Sequence, residues 1–131
     1  MQNNGVVRWL VVVLFSISMP AHSQSVWMHV VNTVTGADVY YATSTVRRDG
    51  ERARLWVLVD LPYKLSNGSL SFREYWEMNC KEVSYRILQH EDYPEKQLGG
   101  LRISGETDAG DWRYIGPGGG ADELIWKRIC S

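Results

Sequence analysis

Two segments of the chain alternate strictly between apolar and polar positions, which is the pattern of β-strands that bury one face. In residues 52–61 the odd positions are apolar and the even positions are mostly polar, and the apolar set is Ala53, Leu55, Val57, Val59 and Leu61. Residues 72–80 repeat the pattern, with Glu74 as the exception on a face shared by Phe72, Trp76, Met78 and Cys80. Residues 83–87 follow after a tight connection at Lys81-Glu82. The pattern predicts antiparallel strands whose apolar faces form one core.

Shorter segments add to this sheet. A β-branched run at residues 26–31 and a second at 38–45 predict the first two strands. Asp49-Gly50 between extended runs predicts a tight turn. Residues 98–104 predict a short strand between polar loops at 91–97 and 106–111.

The periodicity changes near the C-terminus. Ala121, Leu124 and Ile125 follow an i, i+3, i+4 spacing that Ile129 extends, which predicts a short helix. The helix follows the glycine-rich residues 116–120, which lack the Lys-Ser/Thr of a phosphate-binding loop and therefore predict a helix-entry turn. The fold class is thus α+β, a mainly antiparallel sheet with one C-terminal helix packed on it.

The N-terminus has the pattern of a secretory signal peptide. Arg8 precedes an apolar run at residues 9–17, and Ala21 and Ser23 are small residues placed for cleavage before Gln24. The alternative is a membrane anchor, but the run is shorter than the roughly 20 apolar residues of a spanning helix. We expect residues 1–23 to be removed and residues 24–131 to form one periplasmic or secreted bacterial domain. No cysteine lies directly after the apolar run to accept a lipid, so we expect no membrane anchor after cleavage.

The two cysteines of the chain, Cys80 and Cys130, lie in the exported part. In an oxidising compartment they most simply pair with each other, which ties the helix to the sheet. A pair of free thiols is the alternative, because two cysteines without a nearby pair of histidines do not form a zinc site.

The net charge and the titratable residues of the chain reduce the number of function classes to consider. The net charge of −1 gives no electrostatic case for nucleic acid or an anionic membrane as a partner. His29 and His90 have no assignable partner, and Glu74 and Glu77 fall on opposite faces of one strand, so they form no acid/base pair. We predict no enzyme, no cofactor and no metal.

Aromatic side chains on the polar face of the sheet are the candidate binding residues. Trp56 and Tyr75, with Arg54 beside them, fall on the faces that point away from the predicted core. Tryptophan, tyrosine and arginine carry much of the binding energy of protein interfaces. The favoured interpretation is nevertheless that the C-terminal helix covers this face as a second core layer, and a binding patch is the alternative.

Several short motifs recur in order along the exported chain. They are VRRDG at 46–50, LWVLVD at 55–60, WEMNCKE at 76–82, YRIL at 85–88, WRYIGPG at 112–118 and the terminal Cys130. In order and spacing the chain resembles the surface-adhesin protein E family of bacterial exported proteins, from about residue 26 to residue 130.

The resemblance implies an antiparallel sheet with a disulfide-tied C-terminal helix. It also implies a non-enzymatic binding or adhesion module whose partner is a protein, from the extracellular matrix or the envelope. The adhesin that names the family is lipid-anchored, and this chain differs in having no lipid-acceptor cysteine. The alternative function is an envelope structural or stress-related domain without a dedicated ligand.

Overall fold

The structure is a computed structural model that describes residues 12–19 and 26–131. Residues 12–19 are exposed and have no regular secondary structure. The predicted start of the signal peptide and its cleavage site fall in residues 1–11 and 20–25, outside the described residues. Within the described ranges, no helix has the length and apolar character that crossing a bilayer requires.

The described residues form eight strands and one α-helix, joined in places by short 3-10 turns. The strands are β1 (Trp27–Asn32), β2 (Asp38–Ala42), β3 (Arg47–Asp49), β4 (Arg52–Asp60), β5 (Ser71–Asn79), β6 (Ser84–Tyr93), β7 (Ser104–Glu106) and β8 (Arg113–Tyr114). The helix α1 (Ala121–Cys130) ends the chain.

The strands of the described residues form one antiparallel sheet in the order β1-β2-β4-β5-β6-β7, with β3 beside β4 and β8 beside β6. The three long strands β4, β5 and β6 lie next to one another at its centre. The predicted turn at Asp49-Gly50 joins β3 to β4, and Gly50 has φ 58°, a left-handed conformation that glycine adopts without a steric penalty. The predicted antiparallel pairing of the alternating segments is confirmed.

The core lies between one face of the sheet and α1. Ala53, Leu55 and Val57, odd positions of β4, are buried as predicted, and Val59 is partly buried. Leu55 pairs directly with Trp76 of β5. Ile125 of α1 is fully buried in the same cluster. Burying a side chain of this size contributes about 2 kcal/mol, so this face supplies much of the stability of the domain.

The predicted disulfide is confirmed. Cys80 follows β5 and Cys130 ends α1, and their Cα atoms lie 5.4 Å apart. The bond closes a sequence separation of 50 residues and fixes the C-terminal end of α1 to the sheet. A hydrogen bond also holds the C-terminal end of α1, because Arg48 donates to the carbonyl oxygen of Ile129 over 2.8 Å.

Three strand predictions are wrong in their extent. The second strand ends at Ala42, and Thr43–Thr45 form a 3-10 turn in which Thr45 Oγ1 donates to the Ala42 carbonyl. The predicted loop at 91–97 begins too early, because β6 continues to Tyr93. Residues 98–103 form no strand. Leu98 has φ 62°, which breaks the extended backbone, and β7 begins only at Ser104.

The favoured position of the helix is also wrong. Ile125 packs in the cluster that holds Leu55 and Val57, so α1 covers the odd face of β4 and not the face of Trp56. We call the uncovered side of β4, β5 and β6 the outer face. It is not uniformly polar, because Leu58 and Asp60, two of its even positions on β4, are buried.

Candidate functional site

The three candidate binding residues meet on the outer face. Trp56 and Tyr75 occupy paired positions on β4 and β5, with their ring centroids 5.1 Å apart, and both are half-buried. Arg54 pairs across the same two strands with Glu77. Because side chains two positions apart on a strand share a face, the alternation of β4 and β5 places all three residues side by side.

A buried carboxylate organises the arginines around them. The side chain of Glu77 is only 4% exposed, and three guanidinium groups converge on it. Arg54 Nη2 lies 2.7 Å from Oε2, while Arg86 Nη2 and Arg52 Nη1 lie 2.8 and 3.2 Å from Oε1. Burial alone would raise the pKa of Glu77, but the hydrogen bonds from Arg54 and Arg86 outweigh it and hold the pKa below its usual value. Glu77 is therefore a permanent anion at neutral pH.

A second buried carboxylate repeats the arrangement along the sheet. Glu91 of β6 pairs with Arg73 of β5 and accepts a hydrogen bond from its Nε. Arg102 lies 3.1 Å from the other carboxylate oxygen, and Tyr93 also donates to Glu91. Burial would raise the pKa of Glu91, and the contacts with Arg73, Tyr93 and Arg102 lower it overall. This carboxylate too stays ionised and holds its arginines in place.

Stacking on tryptophan fixes the guanidinium groups further. Arg73 lies over the Trp56 ring at 4.4 Å from its centroid. Arg52 and Arg86 lie over Trp112 at 4.7 and 4.8 Å. Such cation–π contacts are worth about 1 kcal/mol each at partly exposed sites. The indole rings thus serve as platforms that orient the arginines.

Arginines recur along the outer face. We call the six arginines that the outer face groups together the arginine patch, namely Arg47, Arg52, Arg54, Arg73, Arg86 and Arg102. Arg47 belongs to it because β3 pairs Arg47 with Arg54. Among the described residues the patch contains or contacts three carboxylates, Asp49, Glu77 and Glu91, which leaves an excess of three positive charges. Asp38 and Asp60 pair at one end of the same face, and Arg73 lies opposite Leu58, two positions from Asp60, so negative charge borders the patch on that side.

A separate polar cleft lies on the other face of the sheet. It has a volume of about 340 Å³ and is lined in part by Glu74, His90, Glu106 and Arg113. His90 lies between two carboxylates, with Nδ1 3.2 Å from Glu74 and Nε2 3.1 Å from Asp92. The hydrogen bond to Glu74 is the main cause that raises the pKa of His90 to about 9, against the opposing effect of burial. A protonated histidine bound at both nitrogens cannot serve as a general base at neutral pH.

The sequence did not predict that His90 would lie between Glu74 and Asp92, and the reason is structural. The pairing of β5 with β6 shifts by one residue between Tyr75 and Trp76, so that Gln89 and Ile87 oppose consecutive residues of β5. The bulge turns His90 to the face of Ile87, although the two lie an odd number of residues apart. In residues 12–19 and 26–131, no group of histidine, cysteine, aspartate or glutamate side chains is arranged to hold a metal ion.

Comparison with known proteins places the fold. The family model for Surface-adhesin protein E matches residues 27–131. Crystal form II of Haemophilus influenzae protein E superposes with a TM-score of 0.66 at 18% identity, covering 85% of this chain and 91% of that chain. The selenomethionine form of Haemophilus influenzae protein E gives a TM-score of 0.65 at 17% identity, covering 85% of this chain and 90% of that chain.

Protein E from non-typeable Haemophilus influenzae gives a TM-score of 0.62 at 18% identity, covering 85% of this chain and 79% of that chain. A search of curated proteins found no match. At these identities the solved structures establish the shared fold, and the family match spans nearly all of the folded domain. The chain therefore belongs to the surface-adhesin protein E family, a family of bacterial surface or exported proteins.

Proposed function

We propose that this chain is an exported, non-enzymatic binding domain that attaches to a protein of the extracellular matrix or to a component of the bacterial envelope. The proposed contact surface is the outer face around Trp56, Tyr75 and Arg54. The observation that carries the proposal is the position of α1, which packs on the opposite face and leaves these residues at the surface. Partly exposed aromatic rings beside arginines are the residue types that dominate interface energetics.

Membership of an adhesin family supports a binding role, and two features support export. The apolar run at residues 9–17 is followed by the small residues Ala21 and Ser23, as in a cleaved signal peptide. The bond between Cys80 and Cys130 fits an oxidising compartment, because structural disulfides form and persist there.

The ionisation of the buried acids supports a non-enzymatic role. Glu77 and Glu91 have lowered pKa values and are held by arginines, so neither is prepared to donate a proton at neutral pH. His90 is held in its protonated form between Glu74 and Asp92. The clusters of titratable groups described above therefore act as structural ion pairs.

Binding of the purified protein to a panel of immobilised matrix proteins and to envelope fractions tests the proposal. We expect saturable binding by the wild type and a loss of roughly tenfold or more in affinity for Tyr75→Ala. Tyr63→Ala is the matched control, because Tyr63 is 68% exposed in the loop between β4 and β5. Absence of binding, or equal binding by both variants, would contradict the proposed surface. The alternative function, a structural envelope domain without a ligand, predicts the absence of binding.

A further inference from the structure

The arginine patch has a groove at the edge formed by β3 and β4. Its volume is about 310 Å³, and its lining includes Arg47, Arg52 and Arg54 together with Glu77. We infer that the arginine patch binds a sulfated polysaccharide chain, entering at this groove and running along the outer face. The inference rests on the proposed function for the location of the contact surface, and it adds a sulfated polysaccharide to the partner proposed above.

The patch has unmatched positive charge where the ligand would lie. Glu77 carries one negative charge and faces Arg52, Arg54 and Arg86, so the cluster retains two positive charges. Arg47 adds a further positive charge, because among the described residues its side chain donates to the backbone carbonyl oxygens of Ser44 and Val46, while Asp49 in the groove lining carries one negative charge. Strand geometry separates these groups by roughly 5–10 Å. Like charges at this spacing repel one another, and an extended polyanion laid across them relieves the repulsion.

The patch also has unused hydrogen-bond donors. A guanidinium group has five N–H donors, and the contacts with Glu77 use one nitrogen of Arg52 and two nitrogens each of Arg54 and Arg86. The side chains of Arg52 and Arg54 are 48% and 51% exposed, so their remaining donors face solvent. Arginine forks bind planar and tetrahedral oxyanions through paired hydrogen bonds, and sulfate groups supply such oxygens at every pH of interest.

Arginines lie over the tryptophan rings of the patch, which separates this ligand from single-stranded nucleic acids. Arg73 covers the Trp56 ring, and Arg52 and Arg86 cover Trp112. Single-stranded nucleic acids need open aromatic faces for base stacking. A sulfated polysaccharide needs no such face, because it presents mainly anionic and hydroxyl oxygens.

Binding to heparin, a sulfated polysaccharide, tests the inference with the full exported protein. We expect saturable binding that weakens strongly between about 50 and about 200 mM NaCl, as expected for multiple ionic contacts. Neutral dextran should not bind, and hyaluronan, which has carboxylates but no sulfates, should bind at least roughly tenfold more weakly. Equal binding of hyaluronan, or equal or tighter binding of single-stranded DNA, would overturn the assignment to sulfated polysaccharide.

Two variants locate the site. Arg47→Gln and Arg52→Gln should each weaken heparin binding roughly tenfold, because each removes one charge-assisted contact. Arg128→Gln is the matched control. It removes the same charge from α1, where Arg128 donates to the His29 carbonyl oxygen, and it should leave the affinity unchanged. An equal effect of all three variants would indicate attraction by net charge and overturn the site.

The outcomes separate this inference from the proposed function. A protein that binds matrix proteins through Tyr75 but does not bind heparin would overturn the polysaccharide ligand and leave the proposed function intact. A protein that binds neither would overturn both.

Discussion

Trp56 and Tyr75 lie directly opposite each other on β4 and β5, with ring centroids 5.1 Å apart, on the side of the sheet that α1 leaves uncovered. Arg73, two residues before Tyr75 on the same face of β5, stacks on the Trp56 ring. Trp56 therefore supports a charged group at the surface, and both rings lie outside the cluster that forms the main core.

Loss of the disulfide should destabilise the domain strongly. Cys130→Ser should lower the free energy of unfolding by about 4 kcal/mol, because the bond closes a loop with a sequence separation of 50 residues. Urea unfolding of the variant and of the wild type measures the difference, and hydrogen exchange should show α1 opening before the sheet. The reduced wild-type protein is the control and should match the variant. A variant as stable as the oxidised wild type would contradict the role of the bond.

Removing the charge of Glu77 should lower the free energy of unfolding more than removing the charge of an exposed carboxylate. Glu77→Gln should lower the free energy of unfolding by about 3 kcal/mol at pH 7, because three guanidinium groups lose their common partner. Glu51→Gln is the control, since Glu51 is 62% exposed and lies 3.9 Å from Lys81. Thermal and urea unfolding measure both variants.

The cost of Glu77→Gln should depend on pH with a definite sign. The pKa of Glu77 is lowered in the folded state from the ordinary value of 4.5, so its stabilisation is complete above that value and is lost as the pH falls through the folded pKa. The difference between wild type and Glu77→Gln should therefore shrink below about pH 4. A difference that stays constant down to acid pH would show that the charge of Glu77 is not what stabilises the fold.

His90 should make the stability of the fold fall as the pH rises into the alkaline range, which is the opposite of the effect of Glu77. Its folded pKa of about 9 exceeds the ordinary 6.5, so its stabilisation is complete below pH 6.5 and is lost as the pH rises to about 9. Wild-type stability should fall across this window, whereas His90→Gln should lack that component. Melting temperatures measured from acid to alkaline pH test this. Parallel curves for the two proteins would mean that the ion pairs with Glu74 and Asp92 contribute nothing.

The exported protein should begin at Gln24. Cleavage after Ser23 follows from the apolar run and the small residues that precede the cut. Intact-mass measurement of the protein recovered from the periplasm or medium tests this. A mass that retains residues 1–23, or one that carries added acyl chains, would contradict it.

The sequence predicted the centre of the sheet well because two-residue periodicity reports burial directly. Leu55 and Val57 on β4 and Met78 on β5 are buried as their spacing predicts. The helix and the disulfide were also predicted, because the change to a helical period and the count of two cysteines are both readable in the chain. Local patterns were sufficient for these features.

Features that depend on tertiary contacts were not predicted. Which face α1 covers depends on the path of residues 107–120, and apolar side chains occur on both faces of β4, with Leu58 buried on the outer one. The strand predicted at residues 98–104 failed because backbone pairing, and not composition, places β7 at Ser104–Glu106 opposite β6. The bulge beside Tyr75, which brings His90 to Glu74, leaves no signal in the spacing of side chains.

The affinity of Trp56→Ala for the partner found with the wild-type protein tests the central claim most directly. We predict that binding weakens by about 2 kcal/mol or more, while the free energy of unfolding falls by only about 1 kcal/mol, because Trp56 is half-buried and outside the main core. Calorimetric titration and urea unfolding of the same preparation give both numbers. Unchanged affinity in a folded variant would contradict the claim that the outer face is the binding surface, and so would unfolding of the variant, since Trp56 would then be a core residue.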